Sequence, residues 1–204
     1  TISTELGVFA SFSPELPESY RASPYVFLAN IHPALQLHVL AQTKKPKFVL
    51  LDTMDLWINT ARDTLTEVMK KVTMITINES EARHYTGEHT LIKAAKKLLS
   101  HGPRFVVIKR GENGSMLFTK TGISLIPAYP LENLVDPTGA GDTFAGAFIG
   151  SLAENGINVD VFVHHLEGDR LWHGSSIHRW ENSAFDLADY MLAGVPVLGP
   201  ADAD

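Results

Sequence analysis

The chain has no cysteine among its 204 residues. That excludes a disulfide framework, a thiolate nucleophile and any cysteine-based zinc site. Long apolar runs are also missing, and no basic start leads into an apolar stretch, so neither a bilayer span nor a secretory leader is expected. A cytoplasmic setting with no membrane partner is the default. There is no basic stripe of the kind that tracks phosphate backbones, and the net charge is −6, so no nucleic-acid partner is expected. Two nucleotide-binding patterns are absent as well. No loop ends in Gly-Lys-Ser/Thr, and no Gly-x-Gly-x-x-Gly follows the first strand. Nine histidines are present, but they show no metal-ligand spacing on an expected helix. Lysine is missing from the last part of the chain. From Asn158 onward there are two basic and eight acidic residues, against fifteen of each before it. That break divides the chain into 1–157 and 158–204.

What remains is an ordinary globular composition, 45% apolar and 20% charged, enough for one α/β domain. Short apolar runs alternate with amphipathic stretches. Tyr25–Ala29, Phe48–Leu51, Met74–Ile77 and Phe105–Ile108 read as buried strands. Helices are expected from Pro33 to about Ala41, from about Ile58 to Lys71, from Asn78 to near Gly87, and over Leu91–Leu99. The last of these presents Leu91, Ile92, Ala95, Leu98 and Leu99 on one face. Glu112-Asn113-Gly114 and Thr121-Gly122 are turn signals around two short strands, Ser115–Phe118 and Ile123–Ile126. The strand-helix alternation predicts parallel strands with helices on both faces, and the hairpins predict an antiparallel addition at one side. In the tail, Val159–Val163 and a helix over Ser183–Leu192 are the remaining candidates.

Ligands of open α/β sheets bind beyond the carboxyl ends of the strands. Polar residues stand at those ends: Asn30, Asp52, Asn78, Lys109, and then a loop from Asp136 to Asp142 that follows a strand-like run ending at Leu134-Val135. The loop reads Asp136-Pro137-Thr138-Gly139-Ala140-Gly141-Asp142 and opens a small-residue helix expected to end at Asn155. A helix start offers free N–H groups and a positive dipole end, which suit a phosphate or a developing oxyanion. Gly139 and Gly141 allow the backbone close to such an anion. Asp142 would repel it unless the carboxylate faces a hydroxyl or a metal, which makes Asp142 a candidate base. The plainer alternative is a glycine-rich helix cap.

Asn78 and Glu81 also carry two readings. Their spacing fits a reciprocal capping box, and it equally suits a hydrated magnesium ion, which prefers oxygen ligands and keeps much of its water. Lys109 is either a phosphate-binding cation or a salt-bridging lysine, while Gly111 and Gly114 read as turn residues that shape the neighbouring site.

The stretch from Asp136 to Phe148 resembles the carboxyl-terminal signature of the ribokinase-like family of carbohydrate kinases, also called the PfkB family. Asn78 and Glu81 match the family's Asn-x-x-Glu motif, and Lys109, Gly111 and Gly114 match its Lys-x-Gly-x-x-Gly segment. The resemblance implies a three-layer α/β/α fold with a mainly parallel central sheet. It further implies transfer of the ATP γ-phosphoryl group to an alcohol of a small sugar, with Asp142 as general base. The backbone of Gly139, Ala140, Gly141 and Asp142 would form the anion hole. Thr138, Lys109, Gly111 and Gly114 would border ATP, and Asn78 and Glu81 would organise Mg2+. Relative to the family pattern, the early strands and their small β lid are expected to be missing, so the fold is expected to be incomplete at the N-terminus. Residues 158–204 depart from the pattern and are expected to be a divergent or frame-altered segment. Alternatives are a nucleoside kinase, a non-catalytic nucleotide-binding fragment, or a structural piece that depends on a partner or self-associates through an open sheet edge.

Overall fold

The computed structural model describes residues 11–128 and 136–155, together with Gly7 and Glu132. The run at Leu134-Val135 and both tail candidates lie outside the described residues. The elements follow in order: α1 (Glu18–Arg21), β1 (Tyr25–Leu28), α2 (Pro33–Gln42), β2 (Phe48–Asp52), α3 (Asp55–Thr60), α4 (Arg62–Met69), β3 (Met74–Asn78), α5 (Glu79–Thr86) and α6 (Leu91–Ser100). Then come β4 (Phe105–Lys109), a single tight turn at Gly111–Asn113, β5 (Ser115–Phe118), β6 (Ile123–Ile126) and α7 (Ala140–Asn155).

The strands form one sheet in the order β1-β2-β3-β4-β5-β6. The first four run parallel, and β5 and β6 are added antiparallel beside β4. The local chemistry accounts for most boundaries. Pro33 stands at the start of α2, where its missing N–H costs nothing, and His32 Nδ1 accepts from Ala34 N at 3.1 Å. Gly87 ends α5 in the left-handed conformation at φ 72°.

Two expectations need correction. The helix expected over Ile58–Lys71 is two helices, broken at Ala61, whose φ and ψ are −140° and 33°. Asn59 and Thr60 bond back to the carbonyls of Asp55 and Leu56, which favours termination there. The break lets α3 bury Trp57 and Ile58 while α4 turns Leu65, Val68 and Met69 into the core. On α6, Ile92 is exposed and Ala94 is buried in its stead, so the apolar stripe lies one position over from the expected face.

Strand alternation splits the core into two layers. Val26, Leu28, Val49, Leu51, Ile75, Ile77, Val106 and Ile108 face one side, where α2 to α6 cover them. Phe48, Leu50, Met74, Phe105 and Val107 face the other, against Ala145, Phe148 and Leu152 of α7. The fold is therefore a three-layer α/β/α arrangement around a mainly parallel, mixed sheet. Burying a side chain such as Phe148 contributes roughly 1.5–3 kcal/mol. That anchoring also aims α7, because it places the first turn of the helix over the carboxyl edge of the sheet.

Candidate active site

Alternation along β2, β3 and β4 puts Asp52, Thr76 and Lys109 on the face that α7 covers, each near the carboxyl end of its strand. Asp52 Oδ1 accepts from Thr76 Oγ1 at 2.9 Å and from Lys109 Nζ at 3.1 Å. The pair is well shielded, with side chains 6% and 18% exposed. Lys109 also reaches the start of α7. A Cβ built on Gly141 would stand 3.0 Å from Lys109 Nζ. An ammonium and the positive end of a sixteen-residue helix thus converge on one point. That concentration of positive potential is suited to an anion.

The loop before α7 is held by its own bonds. Thr138 N donates to Asp136 Oδ1 at 2.8 Å, and this bond, with one to the Thr138 side chain, lowers the Asp136 pKa. Ala140 N closes a turn on Pro137 O at 3.1 Å, with Gly139 at φ 76° in the position that requires a left-handed residue. The Ala140 N–H is thereby used within the turn. Among the described residues, no side chain accepts from Gly141 N or Asp142 N. The Asp142 side chain is exposed, and no described residue pairs with it.

Asn78 and Glu81 form the capping box. Glu81 N donates to Asn78 Oδ1 at 2.8 Å, and Asn78 N donates to Glu81 Oε2 at 2.9 Å. Burial pushes the Glu81 pKa up; the Asn78 N–H bond and the Lys109 charge pull it down, and the Asp52 and Asp55 charges push it up. A buried carboxylate near two others, compensated in part by one lysine, fits a site that admits another cation. Among the described residues there is no cluster of three or more acidic or histidine side chains poised to hold a metal by themselves.

Lys109 and Gly141 are therefore brought together, and Asn78–Glu81 lies within the same electrostatic neighbourhood. Gly111 and Gly114 instead shape the turn from β4 to β5. Gly114 has φ 78°, and a Cβ there would fall 2.0 Å from Ile126 O, so β6 can lie alongside only because the residue is glycine. Thr76 is the residue that reading in sequence overlooked. Its only signal in the sequence was an isolated hydroxyl between two apolar strand positions, and pairing sets it opposite Asp52 on β2.

The described residues contain no helix long and apolar enough to cross a membrane. Among relatives, the chain is 35% identical over 139 residues to a cytidine kinase of Thermococcus kodakarensis, covering 66% of this chain and 49% of that protein. It thus spans about half the length of that curated relative. The structure of Arabidopsis thaliana ribokinase complexed with ribose and ATP superposes with a TM-score of 0.55 at 26% identity, over 67% of this chain and 45% of that one. Aminoimidazole riboside kinase from Salmonella enterica, at 20% identity, gives a TM-score of 0.61 over 86% of this chain and 56% of that chain, a likeness of fold. The family description "pfkB family carbohydrate kinase" matches residues 28–161, a stretch that includes the polar strand ends and the start of α7. The chain belongs to the PfkB family of carbohydrate kinases.

Proposed function

We propose that this protein is an ATP-dependent phosphotransferase that moves the γ-phosphoryl group onto an alcohol of a small sugar or nucleoside. The observation that carries the reading is the convergence of Lys109 Nζ and the Gly141 backbone at the start of α7. In the reaction the acceptor oxygen attacks the γ-phosphorus, the bond from that phosphorus to the β,γ-bridging oxygen breaks, and ADP leaves. Asp142 takes the hydroxyl proton as the oxygen becomes acidic during attack. The N–H groups of Gly141 and Asp142 supply the anion hole, within a loop that Gly139 and Ala140 shape. Lys109 adds a fixed charge, and Thr138, Gly111 and Gly114 border the nucleotide.

Mg2+ would be held through its waters by Asn78 and Glu81, where it would neutralise phosphate charge. The buried, upward-shifted Glu81 supports that placement. The box engages Oε2 of Glu81, and the carboxylate has a second oxygen to offer. ATP use favours a cytoplasmic protein. Residues 158–204, without lysine, are read as a divergent segment, which the coding DNA in its other frames would test.

Likeness to a cytidine kinase supports trying nucleosides beside sugars as acceptors. The test is phosphoryl transfer by the complete gene product across those acceptors, together with ATP titration with and without Mg2+. Transfer to one acceptor class that disappears in Asp142→Asn is the expected result. Undiminished transfer in that variant would refute the assignment of the base. Tight ATP binding with no transfer to any alcohol would favour a non-catalytic nucleotide-binding protein.

A further inference from the structure

Lys109 occupies a position that it would not hold unaided. It ends β4, and its side chain crosses β3 to Asp52, with Nζ 3.1 Å from Oδ1. The sheet register accounts for this path. Asp52 lies directly opposite Thr76, and Thr76 lies opposite Val107, two residues before Lys109. The three polar side chains thus share one face along a diagonal. Drawn back in this way, the ammonium comes to rest against the first turn of α7, within 3.0 Å of where a Gly141 Cβ would be.

That location repels a cation, because the N-terminal end of a helix is itself positive. The counterweight is Asp52, buried so deeply that its carboxylate depends on Thr76 and Lys109 for compensation. We infer that Asp52 is a positioning residue: with Thr76 it holds the Lys109 ammonium under the start of α7, so that ammonium and helix N–H groups address the same phosphate oxygens. The inference rests on the phosphoryl-transfer reading of that turn. In this role Asp52 acts through Lys109.

The test is a double-mutant cycle in the complete gene product, read as kcat and KM for ATP and for the acceptor. Asp52→Asn keeps the shape and removes the charge. It should lower kcat by about 10- to 100-fold, the scale for a misplaced catalytic group, with the acceptor KM within about 3-fold of wild type. Lys109→Met should cost at least as much. The variant carrying both changes should be no slower than Lys109→Met alone, because Asp52 has nothing left to position. Thr76→Val should give a smaller loss in the same direction, and it serves as the test in place of Asp52→Asn should that variant fail to show a cooperative thermal melt. Losses that multiply in the double variant would overturn the inference, as would wild-type turnover in Asp52→Asn. The underlying reading is checked separately: Asp142→Asn that retains full turnover removes phosphoryl transfer at this turn. An inactive Asp142→Asn beside a fully active Asp52→Asn removes only the positioning role.

Discussion

Helices α5 and α7 both begin at the carboxyl edge of the sheet, yet their first turns are finished in opposite ways. At α5 the side chains of Asn78 and Glu81 each accept a backbone N–H, and the turn is closed by its own residues. At α7 the loop is tied by Asp136 and Pro137, while no described side chain accepts from Gly141 N or Asp142 N. A lysine also stands against this first turn. Both starts present the positive end of a helix at the carboxyl edge of the sheet, on opposite faces of it. Side chains decide that one turn closes on itself while the other keeps N–H groups that no described side chain takes up.

The sharpest way to break this comparison is Asp142→Asn. Loss of a general base should reduce turnover by about 10²- to 10⁴-fold. Affinity for ATP, measured by calorimetry, should stay within about 3-fold, because the backbone donors remain.

Gly141→Ala comes next, since it closes the α7 start without touching a charge. The new Cβ, 3.0 Å from Lys109 Nζ, forces the ammonium aside, and turnover should fall by about 10-fold or more. Alanine also favours a helix over glycine by roughly 0.5–1 kcal/mol. The melting temperature should therefore hold or rise while activity drops, and a parallel loss of both would contradict the assignment.

At α5 the expected order is reversed. Asn78→Ala removes a cap and should destabilise the fold by about 0.5–2 kcal/mol, read by urea denaturation. Because Asn78 is also proposed to hold Mg2+, the stability loss should be larger with Mg2+ and ATP present, and an equal loss in both conditions would leave the box a cap alone.

The smallest effect concerns pH. Burial raises the Glu81 pKa in the folded chain above its unfolded value. Its protonated form therefore favours the folded state, a contribution that is full below the unfolded pKa and lost as pH rises through the folded one. Glu81→Gln keeps an oxygen for Asn78 N and removes the titration. Across the weakly acidic range, wild type should lose stability with rising pH relative to Glu81→Gln. Melting curves of the two proteins that run parallel with pH would count against this.

Much of the sheet was legible in sequence because its signals are local. Apolar runs such as Phe48–Leu51 mark buried strands wherever they lie, and Asn78, Glu81 and Gly87 carry the start and stop of α5 within a few residues. The break at Ala61 was harder to see, because no proline or glycine marks it. It follows from two packing demands, Trp57 bonding to Asn30 and α4 facing the core. Ile92 was misplaced for a related reason: helical periodicity locates a stripe, but the neighbouring elements choose its centre.

At the site the division is similar. By itself, the sequence determined the loop from Asp136 to Asp142, its glycines, the candidate base and the companion motifs, because each is a short pattern with a local conformational meaning. Tertiary structure decided what those parts face. Pairing of β2, β3 and β4 set Asp52, Thr76 and Lys109 on a common diagonal, although Asp52 and Lys109 are 57 residues apart in the chain. Packing of Ala145, Phe148 and Leu152 then carried the start of α7 over them. Charge separation depends on distance in space, so that convergence exists only once the sheet and its covering helix are assembled.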